Sequence, residues 1–150
     1  MKPIVRSVVA AAVVLTTACG GPTDDPAHGS GEEVPVCEPG FTTPEGFRQT
    51  EALEDPYPDH VGIRLGFVDD GGRELHSFAG IPGEFGEGLP VVGRVESAGG
   101  IDGVLQGEAE IWVLSWRAPG PCGIRAVLGN GFSREAFLDT LETAGIIPRG

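Results

Sequence analysis

The sequence predicts an α+β domain: one antiparallel sheet of about five to six strands with a C-terminal α-helix packed on one face. Three observations predict it. Apolar residues alternate with period two in several runs between residues 61 and 128. Turn-forming segments rich in Gly and Pro separate those runs, in a chain that carries 25 Gly and 13 Pro. Residues 133–144 carry a helical stripe with a capping signal at each end. At 150 residues the chain allows one compact domain rather than two.

Taken in order, Phe47–Leu53 reads as an edge strand or a short helix, its period being ambiguous. Val61, Ile63, Leu65 and Phe67 then share one face of a strand. Asp69-Asp70-Gly71-Gly72 is a hairpin turn, because tight turns select residues that tolerate positive φ. In Arg73–Ile81, Leu75, Ser77, Ala79 and Ile81 lie on one side. Pro82–Pro90 is a Gly-rich acidic loop, Val91–Glu96 a strand, and Ala98-Gly99-Gly100 a turn. Gly103–Arg117 is the longest alternating stretch and reads as one strand. Leu105, Ala109, Ile111 and Val113 fall on one side of it; Glu108, Glu110, Trp112, Leu114 and Trp116 fall on the other. Ala118–Pro121 turns the chain, and Cys122–Leu128 returns antiparallel. Ser133 is placed to cap the helix, with Glu135 at the positive end of its dipole. Phe132 and Phe137 have the spacing of a hydrophobic staple. Phe137, Leu138 and Leu141 form the apolar stripe, and Gly145 is the C-cap candidate.

The N-terminus carries an address. Lys2 and Arg6 precede an uncharged, mostly apolar run at residues 7–17. That run is far short of the roughly 20 residues that span a bilayer, but it suits the apolar region of a signal peptide. It ends in Leu15-Thr16-Thr17-Ala18-Cys19-Gly20, which resembles the lipobox of bacterial lipoproteins, with Thr16 where Leu is usual. The resemblance implies a signal peptide over residues 1–18 and a thioether-linked diacylglycerol on Cys19. Membrane anchoring through that lipid would follow, since two chains hold where one is marginal. An ordinary secretory signal cleaved near Ala18 is the other reading of the same residues. With Cys19 lipidated, Cys37 and Cys122 are left as an even pair, and an exported chain can keep them as a disulfide. A metal site would need more ligands than two Cys with no nearby His.

Residues 19–36 are expected to be the lipidated Cys and a flexible acidic tether, and residues 37–150 the folded domain. The tether is Gly, Pro and acid with almost nothing apolar, too little to offset its ordering entropy. His28 within it reads as solvated. The whole chain has 22 acids against 10 bases, a net charge of −12, which offers no basic face to a nucleic acid.

From Pro44-Glu45-Gly46-Phe47 through Trp112-Val113-Leu114-Ser115-Trp116 to Gly129-Asn130-Gly131 and Ser133-Arg134-Glu135-Ala136-Phe137, the order resembles small exported lipoproteins. In those the sheet ends in a strand, a Gly turn and a helix opening S-x-E-x-F. In outline it is also similar to the curved-sheet periplasmic domains of the LolA and RseB type, which handle lipidated or apolar partners. The resemblance covers residues 44–147 and rests on turn and cap chemistry, so no functional residue is carried over from it.

The chemistry of sites narrows the rest. No G-x-S-x-G elbow supports a serine nucleophile. No phosphate-cradling glycine motif precedes a helix, and no cofactor is expected. Asp59 and His60, with His76 in the following strand, could form an oxygen–nitrogen metal site in an envelope enzyme; the plainer reading is an acidic turn with two surface His. Asp69-Asp70 lacks the spacing of a calcium loop. Glu108 and Glu110 could pair as catalytic carboxylates or simply face solvent. The candidate ligand or partner face is Trp112, Leu114 and Trp116, which is core instead if the helix covers that side. The expectation is a non-enzymatic envelope lipoprotein that binds an apolar or amphipathic ligand, or a partner protein.

Overall fold

A computed structural model of the chain describes residues 33–150. The expected signal peptide, Cys19, His28 and most of the tether lie outside the described residues. Among the described residues seven strands and one helix follow in order: β1 Phe47–Pro56, β2 Val61–Asp69, β3 Glu74–Ala79, β4 Val91–Glu96, β5 Asp102–Glu108, β6 Ile111–Arg117, β7 Ile124–Asn130 and α1 Arg134–Thr143. They build one antiparallel sheet in the order β1-β2-β3-β7-β6-β5-β4, with a single C-terminal helix. The fold is therefore mostly β, with more strands than the alternation suggested.

The extra strand comes from the longest alternating stretch. Residues 103–117 are not one strand but a tight hairpin, in which Glu108 pairs with Ile111 and Ala109 takes a φ of 51°. The turn carries no Gly, Pro or Asn at its tip, so the usual breaker signal is missing. Its consequence is a swap of faces. In the hairpin register Leu105 lies opposite Leu114 and Gly107 opposite Trp112. Leu105 thus joins the Trp112 side, whereas Glu108 joins the Ile111 and Val113 side. The ambiguous segment at 47–53 is a strand, β1, with a bulge between Gln49 and Glu51 that blunts this sheet edge.

The helix lies on the face of Leu65, Phe67, Leu75, Val127, Trp112, Leu114 and Leu105, and with them Phe132, Phe137 and Leu141 form the core. Ser133 caps it, its hydroxyl accepting from the Ala136 N–H at 3.2 Å. Phe132 and Phe137 meet edge to face at 6.0 Å, closing the staple. Past the C-cap Ala144, Gly145 turns at φ 75°, a left-handed conformation that costs glycine little. Ile146 and Ile147 then fold back into the core. The Trp112 indole N–H donates to the Phe132 carbonyl at 2.9 Å, which satisfies the one polar atom of a buried ring.

Two meanders, β1-β2-β3 and β4-β5-β6-β7, meet where β3 pairs with β7. The Cys37–Cys122 disulfide, with Cα atoms 5.3 Å apart, ties the segment before β1 to the turn before β7. Pairing begins slightly earlier than residue 37: the Val61 N–H donates to the Pro35 carbonyl, and the Cys37 N–H to the Val61 carbonyl, both at 2.8 Å. The strand order also imposes a crossing. From β3 in the sheet interior the chain must reach β4 at the far edge, so residues 80–90 pass over β7, β6 and β5.

Candidate functional site

The crossing takes place on the face turned away from the helix. Phe85 of the crossing loop packs against Phe78 of β3, ring centroids 4.9 Å apart. The Gln106 side-chain amide on β5 donates to the Gly86 carbonyl at 3.0 Å and to the Leu89 carbonyl at 3.3 Å. Held at these two places, the loop stands over the sheet and leaves an open groove of about 500 Å³ beside it. Val104 of β5 and Ile124 of β7 give the lining apolar surface, Ser115 and Gln106 give it polar atoms, and Phe85 and Trp116 supply aromatic rings. Charged groups complete it: Glu84, Glu87, Asp102, Arg117 and Arg125. Such a volume is in the range of small-molecule sites, which run from roughly 300 to 1,000 Å³.

Trp112, Leu114 and Trp116 are not a free docking face. Trp112 and Leu114 are buried beneath the helix, and Trp116 is half-buried against the same core. The reason is the side on which α1 packs, which alternation within β6 leaves undetermined. Trp116 still borders the groove at the sheet end, and also a second, smaller hollow of about 180 Å³ near Ser97, Ile101 and Ile146. The grading from acid to indole along one strand face is corrected too, because Glu108 ends β5 while Glu110 sits in the turn. The Glu110 carbonyl there accepts from the N–H groups of Gly131 and Phe132. Glu108 and Glu110 therefore form no strand-borne pair.

His60 is buried, contrary to the reading of an exposed surface residue. One ring nitrogen faces the Asp59 carboxylate at 2.7 Å and the other the Gly80 carbonyl, while Tyr57 stacks on the ring at 4.8 Å between centroids. Both partners are acceptors, so a neutral ring donates to one of them and a protonated ring to both. The Gly80 carbonyl and then the Asp59 carboxylate raise its pKa above 6.5, against the lowering effect of burial. Both ring nitrogens face protein partners. His76 stands in mid-β3, opposite Gly66 and Leu128, and is not brought to Asp59 and His60. Among the described residues no group of three or more His, Cys, Asp or Glu side chains is placed to hold a metal ion.

Asp69, the last residue of β2, is occupied by one arginine. Its two oxygens accept from the Arg73 backbone N–H at 2.8 Å and the Arg73 Nε at 2.6 Å. Burial pushes this carboxyl up, and the Arg73 bonds outweigh that, holding it below the ordinary carboxylate value. The same guanidinium lies 4.8 Å from the Phe132 ring centroid, so it joins turn to core.

The groove itself was missed at the level of sequence. Its signal was the acidic, Gly-rich segment 82–90, long for a hairpin connection. Without the strand order nothing in that segment says what it crosses. Among the described residues no helix is long and apolar enough to cross a membrane. Compared with known protein families, curated proteins and solved structures, the chain gives no significant match.

Proposed function

We propose that this protein is a lipid-anchored, extracytoplasmic binding protein that holds an apolar or amphipathic small molecule in the groove beneath residues 82–90, without turnover. The observation that carries the reading is the groove: about 500 Å³, with Phe85, Val104, Trp116 and Ile124 beside polar and charged groups. A few oriented polar groups around apolar surface is how small-molecule sites are built. The cellular setting is supported by the sequence, through the basic Lys2 and Arg6, the apolar run at 7–17 and Ala18-Cys19-Gly20.

Two experiments test the two halves. Cys19→Ala is expected to move the protein from the membrane to the soluble fraction, and the native N-terminal peptide to carry a diacylglycerol mass. A membrane-bound variant together with an unacylated native peptide would refute the anchor. For the groove, a neutral solvatochromic dye is expected to bind the native chain and to lose that binding in Val104→Trp, where an indole fills the cavity. Near-ultraviolet circular dichroism reports that the variant is folded. Undiminished dye binding in a folded Val104→Trp would place the site elsewhere.

A further inference from the structure

The proposed groove is not neutral, and its charges select among occupants. Glu84 and Glu87 stand on the crossing loop, and Asp102 opens β5 across the groove from them. All three are exposed, and among the described residues no basic group pairs with any of them. The two arginines do not balance them. Arg125 lines the groove beside its register partner Trp116, but its guanidinium donates to the Glu38 carbonyl. Arg117 lies on the groove face two residues beyond the Val104–Ser115 pair, level with Asp102. Three carboxylates thus stand against two guanidiniums, one of them already engaged with the Glu38 carbonyl, in a chain whose overall charge is −12. A concave site lined by one dominant sign concentrates the opposite sign. Phe85 and Trp116 add rings whose π faces attract cations and repel carboxylates.

Resting on the groove reading above, we infer that the occupant is an organic cation: an ammonium or guanidinium carried on a phenyl- or short-alkyl-sized apolar body. The body lies on Val104, Ile124 and the aromatic rings; the charge lies toward Glu84, Glu87 and Asp102. An anionic amphiphile of the same shape meets carboxylates at that end and is disfavoured.

The test is a matched series on the purified full chain at low ionic strength: 4-phenylbutylamine, 4-phenylbutanol and 4-phenylbutyrate, each titrated by calorimetry. The amine is expected to bind about tenfold more tightly than the alcohol, the sum of several modest exposed ion pairs, and the carboxylate more weakly than the alcohol. The preference should fade at about 1 M salt, where the Debye length is about 3 Å. Amide shifts on amine binding should cluster at residues 83–87, 104 and 115. In the triple variant Glu84→Gln, Glu87→Gln, Asp102→Asn the amine and the alcohol should bind alike. Butyrate binding as tightly as the amine, or shifts scattered over the acidic surface, would overturn the cation inference and leave the groove standing. If none of the three binds, the groove reading falls and the inference falls with it. Should the triple variant lose its fold, the ligand series on the native chain decides alone.

Discussion

His60 is the clearest case of a residue whose environment reverses its apparent role. A histidine followed by a valine strand in an acidic turn suggests a surface group, yet its ring is held between Asp59 and Gly80. Because the folded-state pKa is raised above 6.5, the bond network stabilises the fold fully below that ordinary value. That contribution is lost as pH rises through the folded pKa. The thermal midpoint is therefore expected to drop from pH 6 towards pH 8, and His60→Gln to flatten that slope; an unchanged slope in the variant would show that another group sets it. Asp69 has the opposite sign. Its lowered pKa contributes stability above the ordinary carboxylate value of 3.8, lost as pH falls through the folded pKa. Asp69→Asn should accordingly reduce acid sensitivity. Gly107 shows how one atom is excluded by packing: a Cβ there would collide with the Trp112 ring and the Ile111 carbonyl. Gly107→Ala is expected to cost about 1–3 kcal/mol in denaturant unfolding, the usual range for overpacking.

At the scale of elements, local chemistry was readable where it is self-contained. Ser133, the Phe132–Phe137 staple and Gly145 mark both ends of α1, and each makes in the fold the contact its spacing implies. Ser133→Ala should cost about 1 kcal/mol, and Leu141→Ala, fully buried beneath the sheet, about 2–5 kcal/mol. Urea titrations of the two variants would check both values, and a larger loss at the cap than at the core would contradict the packing described. The β5–β6 hairpin was illegible because Glu108-Ala109-Glu110-Ile111 keeps a period-two pattern going through a turn without a breaker. A hairpin of that register exchanges odd for even positions, so one hidden turn reassigned every face after it. Whether Trp112, Leu114 and Trp116 are core or free was left to the side on which α1 packs, which no pattern within β6 determines. The crossing loop depends on Gln106, whose amide holds the Gly86 and Leu89 carbonyls. Gln106→Ala is expected to loosen the loop, seen as faster amide hydrogen exchange over residues 83–89, with little change in the exchange of β5 itself.

For the whole molecule, the Cys37–Cys122 link closes a loop with a sequence separation of 85. In the chain-entropy account that restrains the unfolded state by about 4–5 kcal/mol. Reduction is expected to lower the urea midpoint by a corresponding amount, and a midpoint indifferent to reductant would show that the native packing suffices. The seam between β3 and β7 has a kinetic meaning as well. Residues 74–79 find their partners only among residues 125–130, so the first meander keeps a bare hydrogen-bonding edge until the last strand arrives. At about 5–20 residues per second of synthesis, that edge waits several seconds for its mate. In refolding from denaturant, such distant pairing belongs to the slow milliseconds-to-seconds class. A newborn chain halted before residue 124 thus holds two three-strand sets, each with an adhesive rim, and whatever guards them against aggregation must act there, before the seventh strand closes the gap.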